Sequence, residues 1–112
     1  MFSNRKHFYI FMFNIIARKT LLDYCKRYRD ASSALKLWYH VIQKLDINNL
    51  NELRNYFPSA SFIEDNRVVF NICGNRYRLV TRIIFEFKVI QIKWFGKHSE
   101  YDKIDAGKIN VN

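Results

Sequence analysis

The sequence predicts an α+β domain in which an N-terminal αα-hairpin packs on one face of a small antiparallel β-sheet. The expected order of elements is βααβββ, followed by a short C-terminal helix. Two patterns lead to this prediction. Apolar residues recur at steps of three and four between Leu21 and Leu45, which is the spacing of amphipathic helices. Apolar and polar residues alternate in runs between Arg67 and Phe95, and turn-forming residues separate the runs, as in a β-meander.

The first three predicted elements lie before residue 46. The apolar and partly β-branched run from Met12 to Ala17 favours a strand. Thr20 is placed to cap a first helix that ends near Arg29 and Asp30. A stripe of apolar residues at helical spacing predicts the second helix, and its members are Ala31, Ala34, Leu35, Trp38, Val41, Ile42 and Leu45. Trp38 lies in the middle of this stripe, so we expect it in the core rather than on a base-stacking surface.

The stretch from residue 46 to residue 66 is predicted to be mainly connections. Residues 46–51 are polar and rich in asparagine, which indicates a loop. Residues 52–57 can form one helical turn before Pro58 ends it. We expect residues 59–61 to be a short linker that leads to Phe62 and Ile63, and residues 64–66 to form a turn.

The dipeptide Gly74-Asn75 between two alternating runs predicts a β-hairpin. A two-residue turn fixes the register, so the expected facing pairs are Arg67 with Arg82, Val69 with Val80, Asn71 with Arg78, and Cys73 with Arg76. The side chains expected to face the core are Val68, Phe70, Ile72, Tyr77, Leu79 and Thr81. The opposite face would gather Arg67, Asn71, Arg76, Arg78 and Arg82, and such a basic surface favours an anion. A third strand from Val89 to Phe95 completes the meander.

Composition limits the possible partners. The chain has 112 residues, of which 49% are hydrophobic and 17% aromatic, which is enough for one compact domain with a core. Nineteen basic and ten acidic residues give a net charge of +9. This charge favours a polyanion such as RNA, DNA or an acidic protein, and an anionic membrane surface fits it equally well.

Cysteine usage and the N-terminus indicate a cytoplasmic protein. Cys25 and Cys73 lie far apart without zinc-ligand spacing around them, so we expect two reduced thiols. The basic and then apolar N-terminus suggests a signal peptide, but the run from Phe8 to Ala17 is too short to span a bilayer and is not followed by a small-residue cleavage site. We expect residues 1–11 to be an extension, residues 12–106 to be the folded domain, and residues 107–112 to be a disordered tail.

Two side chains that can transfer protons follow the third strand. Ser99 can cap a short helical turn, which would place His98 and Tyr101 on the same side. If the strand end lies near the hairpin, Arg78 and Arg67 approach them. This combination suits RNA cleavage by attack of a ribose 2′-hydroxyl on its adjacent phosphate. The reaction needs a base, an acid and cations for the phosphorane, and it needs no metal or other cofactor.

Each of these residues also has an ordinary structural interpretation. A histidine after a strand is more often a solvated loop residue, a tyrosine there more often packs on the sheet edge, and arginines commonly form a solvated face. The further candidates for RNA binding are Asn71, Arg76, Arg82, Lys93, Lys97 and Lys19. The cations around the first helix, Lys26, Arg27 and Arg29, indicate a general phosphate-attracting surface.

Four stretches of the sequence resemble a known family. They are MFNIIARKTLLDY, WYHVIQK, FPSASFIEDNRVVFNICGNRYRLVTRIIFE and IKWFGKHSEYDKID. Together they resemble the HigB-type toxins of bacterial toxin–antitoxin systems, within the wider RelE/ParE superfamily, from about Met12 to about Ala106. The resemblance implies a small antiparallel sheet packed on two helices and cleavage of mRNA on translating ribosomes. It also implies neutralisation by a HigA-type antitoxin with a helix-turn-helix domain, in a hetero-oligomeric complex.

The resemblance further suggests which residues act. Arg78 matches the arginine of the GxYRLV strand, His98 stands after the GK step where RelE usually has an arginine, and Tyr101 matches the tyrosine of the C-terminal helix. Val69 and Asn71 stand where RelE carries lysines, so a lysine-based acid/base scheme is not implied.

The leading hypothesis is therefore a ribosome-dependent mRNA endonuclease. In it, Arg78 and Arg67 stabilise the scissile phosphate, His98 and Tyr101 transfer protons, and Asn71 orients the substrate. Two alternatives stay open. One is a ParE-like toxin that poisons DNA gyrase, and the other is a nucleic-acid-binding module without catalysis.

Overall fold

The computed structural model describes residues 13–16 and 18–110, without the side chains of Arg18 and Lys19. The predicted extension at residues 1–11, both ends of the predicted first strand, and residues 111 and 112 of the predicted tail lie outside the described residues. The side chain of Lys19, a predicted RNA contact, also lies outside them.

The described elements are four helices and five strands. In chain order they are β1 (Asn14–Ile16), α1 (Arg18–Arg27), α2 (Ser32–Lys44), α3 (Leu50–Tyr56), β2 (Ser61–Ile63), β3 (Arg67–Ile72), β4 (Tyr77–Ile84), β5 (Val89–Lys97) and α4 (His98–Tyr101). Two 3₁₀ turns, Arg29–Ala31 and Phe85–Phe87, join α1 to α2 and β4 to β5.

The strands form one mixed sheet in the order β1-β5-β4-β3-β2. β1 runs parallel to β5, and the other neighbours are antiparallel. The α+β class is confirmed, but the order βααβββ and the wholly antiparallel sheet are wrong. A long crossover through the helices separates β1 from the rest of the sheet, and such a connection allows parallel pairing where a tight hairpin does not.

The stretch predicted as connections contains one more helix and one more strand than expected. The Asn49 side chain caps α3 by accepting from the backbone N–H of Glu52 at 2.9 Å, and the Glu52 carboxylate accepts from the N–H of Asn48 at 2.9 Å. This reciprocal capping and the fully buried Leu53 stabilise seven helical residues instead of one turn. Ser61–Ile63 then pairs with β3 as an edge strand.

The predicted hairpin register is confirmed between β3 and β4. Arg67 pairs with Arg82, Val69 with Val80, and Asn71 with Arg78. At the turn, Gly74 has a φ of +67°, a left-handed conformation that glycine adopts without steric cost.

The core lies between the helices and one face of the sheet. It contains the predicted stripe residue Trp38, 4% exposed, whose ring packs edge-on against Phe70 with centroids 5.3 Å apart. Tyr77 stacks on Phe95 at 5.3 Å, with an angle of 10° between the rings. None of the helices described above has the length and hydropathy needed to span a bilayer.

The opposite face of the sheet is also covered. Val69 and Val80 lie on this face by register, yet they are 2% and 0% exposed. Residues 107–110 belong to the predicted tail, and Arg67 on this face donates to the carbonyl of Ile109.

Candidate active site

The four arginines predicted to share one basic face are held by different partners. Arg67 is only 6% exposed, and its Nη1 donates to the carbonyls of Ala106 at 2.9 Å and Ile109 at 2.7 Å. This guanidinium therefore holds the C-terminal segment on the sheet and is not accessible to a phosphate.

Arg82 lies one strand away from Arg67 and forms a two-point ion pair with Asp65. Its Nε and Nη2 donate to the two carboxylate oxygens at 3.1 and 3.2 Å. The pair lowers the pKa of Asp65, first through the hydrogen bond from Arg82. A carboxylate in this position competes with any phosphate for Arg82.

Lys93 lies beside these two arginines because of a β-bulge. Val80 pairs with Trp94 and Thr81 with Ile92, so Lys93 has no partner on β4. Burial, and then the charges of Arg67 and Arg82, lower the pKa of Lys93. The three cations repel each other, and Asp65 is the acidic side chain that offsets them.

Arg78 lies opposite Gly96 on β5 and folds back onto the hairpin turn. Its Nη2 donates to Oδ1 of Asn75 at 2.8 Å, and its Nη1 donates to the carbonyl of Asn75 at 3.1 Å. Asn71, opposite Arg78 on β3, donates from Nδ2 to the carbonyl of Ser59 at 3.3 Å. Both side chains therefore support local backbone in the described structure.

Arg76 points to the helices instead of the predicted face. Its guanidinium forms an ion pair with Asp30 in the turn between α1 and α2. The hydroxyl of Tyr77 donates to the other oxygen of the same carboxylate at 2.5 Å. The hydrogen bond from Tyr77, and then the charge of Arg76, lower the pKa of Asp30, while the bond to Asp30 and burial raise the pKa of Tyr77 to about 12.

A basic cleft opens where the hairpin turn meets the end of α1. Its volume is about 690 Å³. The lining residues are Lys26, Arg27, Tyr28, Arg29, Asp30, Arg76, Tyr77, Lys97 and Glu100. Five of these side chains are cationic and two are anionic, so the cleft favours a chain of phosphates.

A second groove, which we call the histidine groove, continues from the basic cleft. It is lined by Asn75, Arg76, Tyr77, Lys97, His98 and Ser99, three of which also line the cleft. His98 is exposed, and its backbone N–H donates to the carbonyl of Arg76 at 2.9 Å. The structure thus brings the predicted residues Arg76, Lys97 and His98 together.

The short helix α4 follows β5 directly. It begins at His98 with Lys97 as its N-cap residue, and the Glu100 carboxylate accepts from the Lys97 N–H at 2.8 Å. The prediction that Ser99 caps this helix is wrong, because the first turn already includes Ser99.

Tyr101 packs away from the histidine groove. Its ring is half-buried against Trp94, with centroids 6.2 Å apart. Trp94 in turn lies across Gly96, where an added Cβ would be 2.6 Å from Cη2 of the indole. Neither Tyr101 nor Arg78 lines the groove that contains His98.

The lining residues that the sequence did not suggest as functional are Tyr28, Asp30, Tyr77 and Glu100. Lys26, Arg27 and Arg29 were predicted only as a general phosphate-attracting surface. The run KRYRD at the end of α1 was the available signal for the cleft, since it places three cations and one carboxylate within five residues. Within the described part of the chain, no three side chains of the types that bind metals lie together.

Comparison with known proteins identifies the family. Residues 31–104 match the family described as HigB toxin, the RelE-like toxic component of a toxin–antitoxin system. The mRNA interferase HigB of Escherichia coli O6:H1 strain CFT073 is 30% identical over 93 residues, which are 81% of this chain and 90% of that relative. The mRNA interferase toxin HigB of Escherichia coli K12 and the mRNA interferase HigB of Shigella flexneri are each 30% identical over 95 residues, 83% of this chain and 91% of each relative. The resemblance noted from the sequence is confirmed, and the chain belongs to the HigB toxin family.

Proposed function

We propose that this toxin is a ribosome-dependent mRNA endonuclease that cuts by attack of a ribose 2′-hydroxyl on the adjacent phosphate. The observation that carries the proposal is the continuity of the basic cleft with the histidine groove. The names of the relatives as mRNA interferases support the choice of mRNA as the substrate.

The basic cleft holds the RNA backbone in this proposal. Lys26, Arg27 and Arg29 contact phosphates beside the cleavage site and add affinity without reading sequence. Arg76 and Lys97, which line both surfaces, lie next to the scissile phosphate. Arg76 uses one donor on Asp30, and a guanidinium has five, so donors remain for a phosphate oxygen.

His98 is the proton-transfer group of the proposed reaction. A base removes the proton of the 2′-hydroxyl as its oxygen attacks phosphorus, and an acid supplies a proton to the departing 5′-oxygen. The products are a 2′,3′-cyclic phosphate and a 5′-hydroxyl. His98 is the imidazole in the histidine groove and serves one of these two roles.

The other predicted catalytic residues take supporting roles. Arg78 orders the turn that carries Asn75 and is one hydrogen bond away from the histidine groove. Tyr101 packs on Trp94 and supports α4. Arg67 has no part in the proposed chemical step, because its guanidinium is buried under the C-terminal segment.

Membership of a toxin–antitoxin family implies an antitoxin as partner. We propose that this antitoxin is a HigA-like protein with a helix-turn-helix domain and that the two chains form a hetero-oligomer. Co-expression of the protein encoded by the adjacent gene tests this point, since it should relieve growth arrest.

The test of the proposed activity supplies the purified toxin with mRNA on translating ribosomes and maps the ends of the products. We expect cleavage that depends on ribosomes and leaves cyclic phosphate ends. His98→Ala should lower the cleavage rate at least about 100-fold while the thermal unfolding temperature stays unchanged, a size typical of removing a general acid or base.

Lys44→Ala is the matched control, because this exposed lysine lies in the last turn of α2 and does not line the cleft. Its cleavage rate should equal that of the wild type. Growth arrest without mRNA cleavage but with an induced DNA-damage response would overturn the proposal in favour of a gyrase poison.

A further inference from the structure

Asp30 is one of two carboxylates, with Glu100, in a cleft whose other charged side chains are cationic. Five cations line the basic cleft around it. Its carboxylate repels RNA phosphates and occupies a donor of Arg76. For phosphate binding alone, an uncharged residue would serve better here.

The contacts of Asp30 explain its presence in the cleft. Its carboxylate accepts from the Tyr77 hydroxyl and pairs with Arg76, and its backbone carbonyl accepts from the Cys73 thiol at 3.6 Å. These partners lie on both sides of the hairpin turn. Asp30 therefore ties the β3–β4 turn to the junction between α1 and α2.

The two segments that Asp30 connects both include buried residues. Ala31, the next residue along the helix junction, is fully buried. Tyr77 is 4% exposed and stacks on Phe95. The carboxylate thus connects two rigid points, although it is itself partly solvent-accessible.

The tie extends to the proposed catalytic group through the backbone. The carbonyl of Arg76, whose side chain is paired with Asp30, accepts the N–H of His98 at 2.9 Å. His98 is the first residue of α4, so this bond sets where the short helix begins.

We infer that Asp30 is a positioning residue for RNA cleavage, because through Arg76 and Tyr77 it fixes the hairpin end that holds His98 beside the basic cleft. The inference rests on the proposed function, since it assigns Asp30 a role in that reaction. The inference predicts that loss of the carboxylate lowers the cleavage rate without weakening RNA binding. Removing the carboxylate removes a repulsive charge from the cleft and also frees the hairpin end.

The test compares Asp30→Asn and Asp30→Ala with the wild type on programmed ribosomes. We expect the single-turnover cleavage rate at saturation to fall about 10-fold for Asp30→Asn and up to about 100-fold for Asp30→Ala, the scale of a reacting group displaced by about 1 Å. The concentration that gives half-saturation should stay the same or fall. A role as an electrostatic brake on RNA binding predicts tighter binding with an undiminished rate, and that result would overturn the inference.

Two further variants separate positioning from charge and from stability. Asp46→Asn, in the exposed loop after α2, changes the net charge from +9 to +10 as Asp30→Asn does, and its rate should equal the wild-type rate. Tyr77→Phe loses the hydroxyl but keeps the Arg76 pair, so its rate should fall less than that of Asp30→Ala. If Tyr77→Phe and Asp30→Ala lose rate in proportion to a common loss of thermal stability, the role of Asp30 is only structural and the inference fails.

An NMR measurement tests the position of His98 without measuring cleavage. In ¹H–¹⁵N NMR spectra, Asp30→Asn should shift the backbone amide signal of His98, which donates to Arg76, and Asp46→Asn should not. If the wild type does not cleave mRNA, the proposed function fails and the inference about cleavage fails with it. If the wild type cleaves and Asp30→Asn cleaves equally fast, the inference alone fails, whether or not the His98 amide shifts.

Discussion

The hydrogen bond between Tyr77 and Asp30 makes a pH-dependent contribution to stability. It keeps Tyr77 protonated and raises the pKa of Tyr77 from 10.0 to about 12. The same bond lowers the pKa of Asp30 below 3.8. A raised tyrosine pKa stabilises the fold below pH 10, and this stabilisation is lost as the pH rises to about 12. A lowered carboxyl pKa stabilises the fold above pH 3.8, and this stabilisation is lost as the pH falls further.

We therefore predict a late-titrating tyrosine in the folded protein. In an alkaline titration followed by tyrosinate absorbance, the wild type should show one group near pH 12, and Tyr77→Phe should lack it. Asp30→Asn should move this group back toward pH 10, because the charged acceptor is gone. Burial also raises the pKa of Tyr24. The variant Tyr24→Phe therefore serves as a control, because it shows which part of the alkaline titration belongs to Tyr24. A titration of Tyr77 that does not respond to Asp30→Asn would contradict the assigned hydrogen bond.

At the scale of single residues, the sequence predicted which arginines share a face of the sheet, but it did not predict the groups that they bind. Alternation along the hairpin placed Arg67, Arg78 and Arg82 on one face, and the pairing register agrees. Their ion pairs and carbonyl bonds involve Asp65, Asn75 and residues after α4. Such contacts depend on how loops and the C-terminal segment fold over the sheet, and no periodic pattern encodes them.

The junction between β5 and α4 is the element on which the histidine groove depends. Gly96 is buried under the indole of Trp94, and Trp94 supports Tyr101 on α4. A Cβ at residue 96 would also lie 3.0 Å from the Glu100 carboxylate that caps this helix. The absence of a side chain at this position therefore lets the strand end and the helix begin within two residues.

We predict that Gly96→Ala displaces the Trp94 ring and disturbs α4. The free energy of unfolding should fall by about 1 to 3 kcal/mol, the usual cost of overpacking, and mRNA cleavage should fall with it. Tryptophan fluorescence should report the displacement of Trp94. The second tryptophan, Trp38, lies in the core on the other face of the sheet, so its emission should not change.

Gly107→Ala is the matched control for this substitution. Its Cβ would also be close to another group, 2.7 Å from the nearest atom, but that atom is a carboxylate oxygen of the exposed Glu64 and can move away. Stability and cleavage should change little. Equal losses in the two variants would show that the crowding of Trp94 is not the cause.

The elements themselves could be predicted where one local pattern determines them. The Gly74-Asn75 turn fixed the register of β3 and β4, and helical periodicity located α2 and the burial of Trp38. β2 has three residues and α3 has seven, so each spans fewer than two repeats of its hydrophobic pattern. The spacing of Asn49 and Glu52 was a capping signal that the sequence contained and that was missed. The parallel pairing of β1 depends on a long crossover and has no local signature.

At the scale of the whole molecule, the distribution of charge matters more than its total. The net charge is +9, but on the hairpin face Arg67 and Arg82 are engaged by carbonyls and by Asp65. Arg67 and Arg82 lie at the open end of the hairpin. The cations of the basic cleft lie at its opposite end, beside the turn and the end of α1. The RNA backbone should therefore be attracted to one end of the molecule and guided from there into the histidine groove.

We predict that the cleft dominates the salt dependence of RNA binding. Replacing Lys26, Arg27 and Arg29 together by glutamine should weaken binding of a single-stranded RNA at low salt. It should also reduce the slope of log affinity against log salt concentration by about 2, since each phosphate contact on a single strand contributes about 0.7. Fluorescence anisotropy with a labelled oligonucleotide measures both quantities. A triple glutamine variant of the exposed residues Lys36, Lys44 and Lys108 removes the same charge outside the cleft and should leave the slope nearly unchanged. If both triple variants reduce the slope equally, RNA responds to the net charge of the molecule, and the cleft is not its binding site.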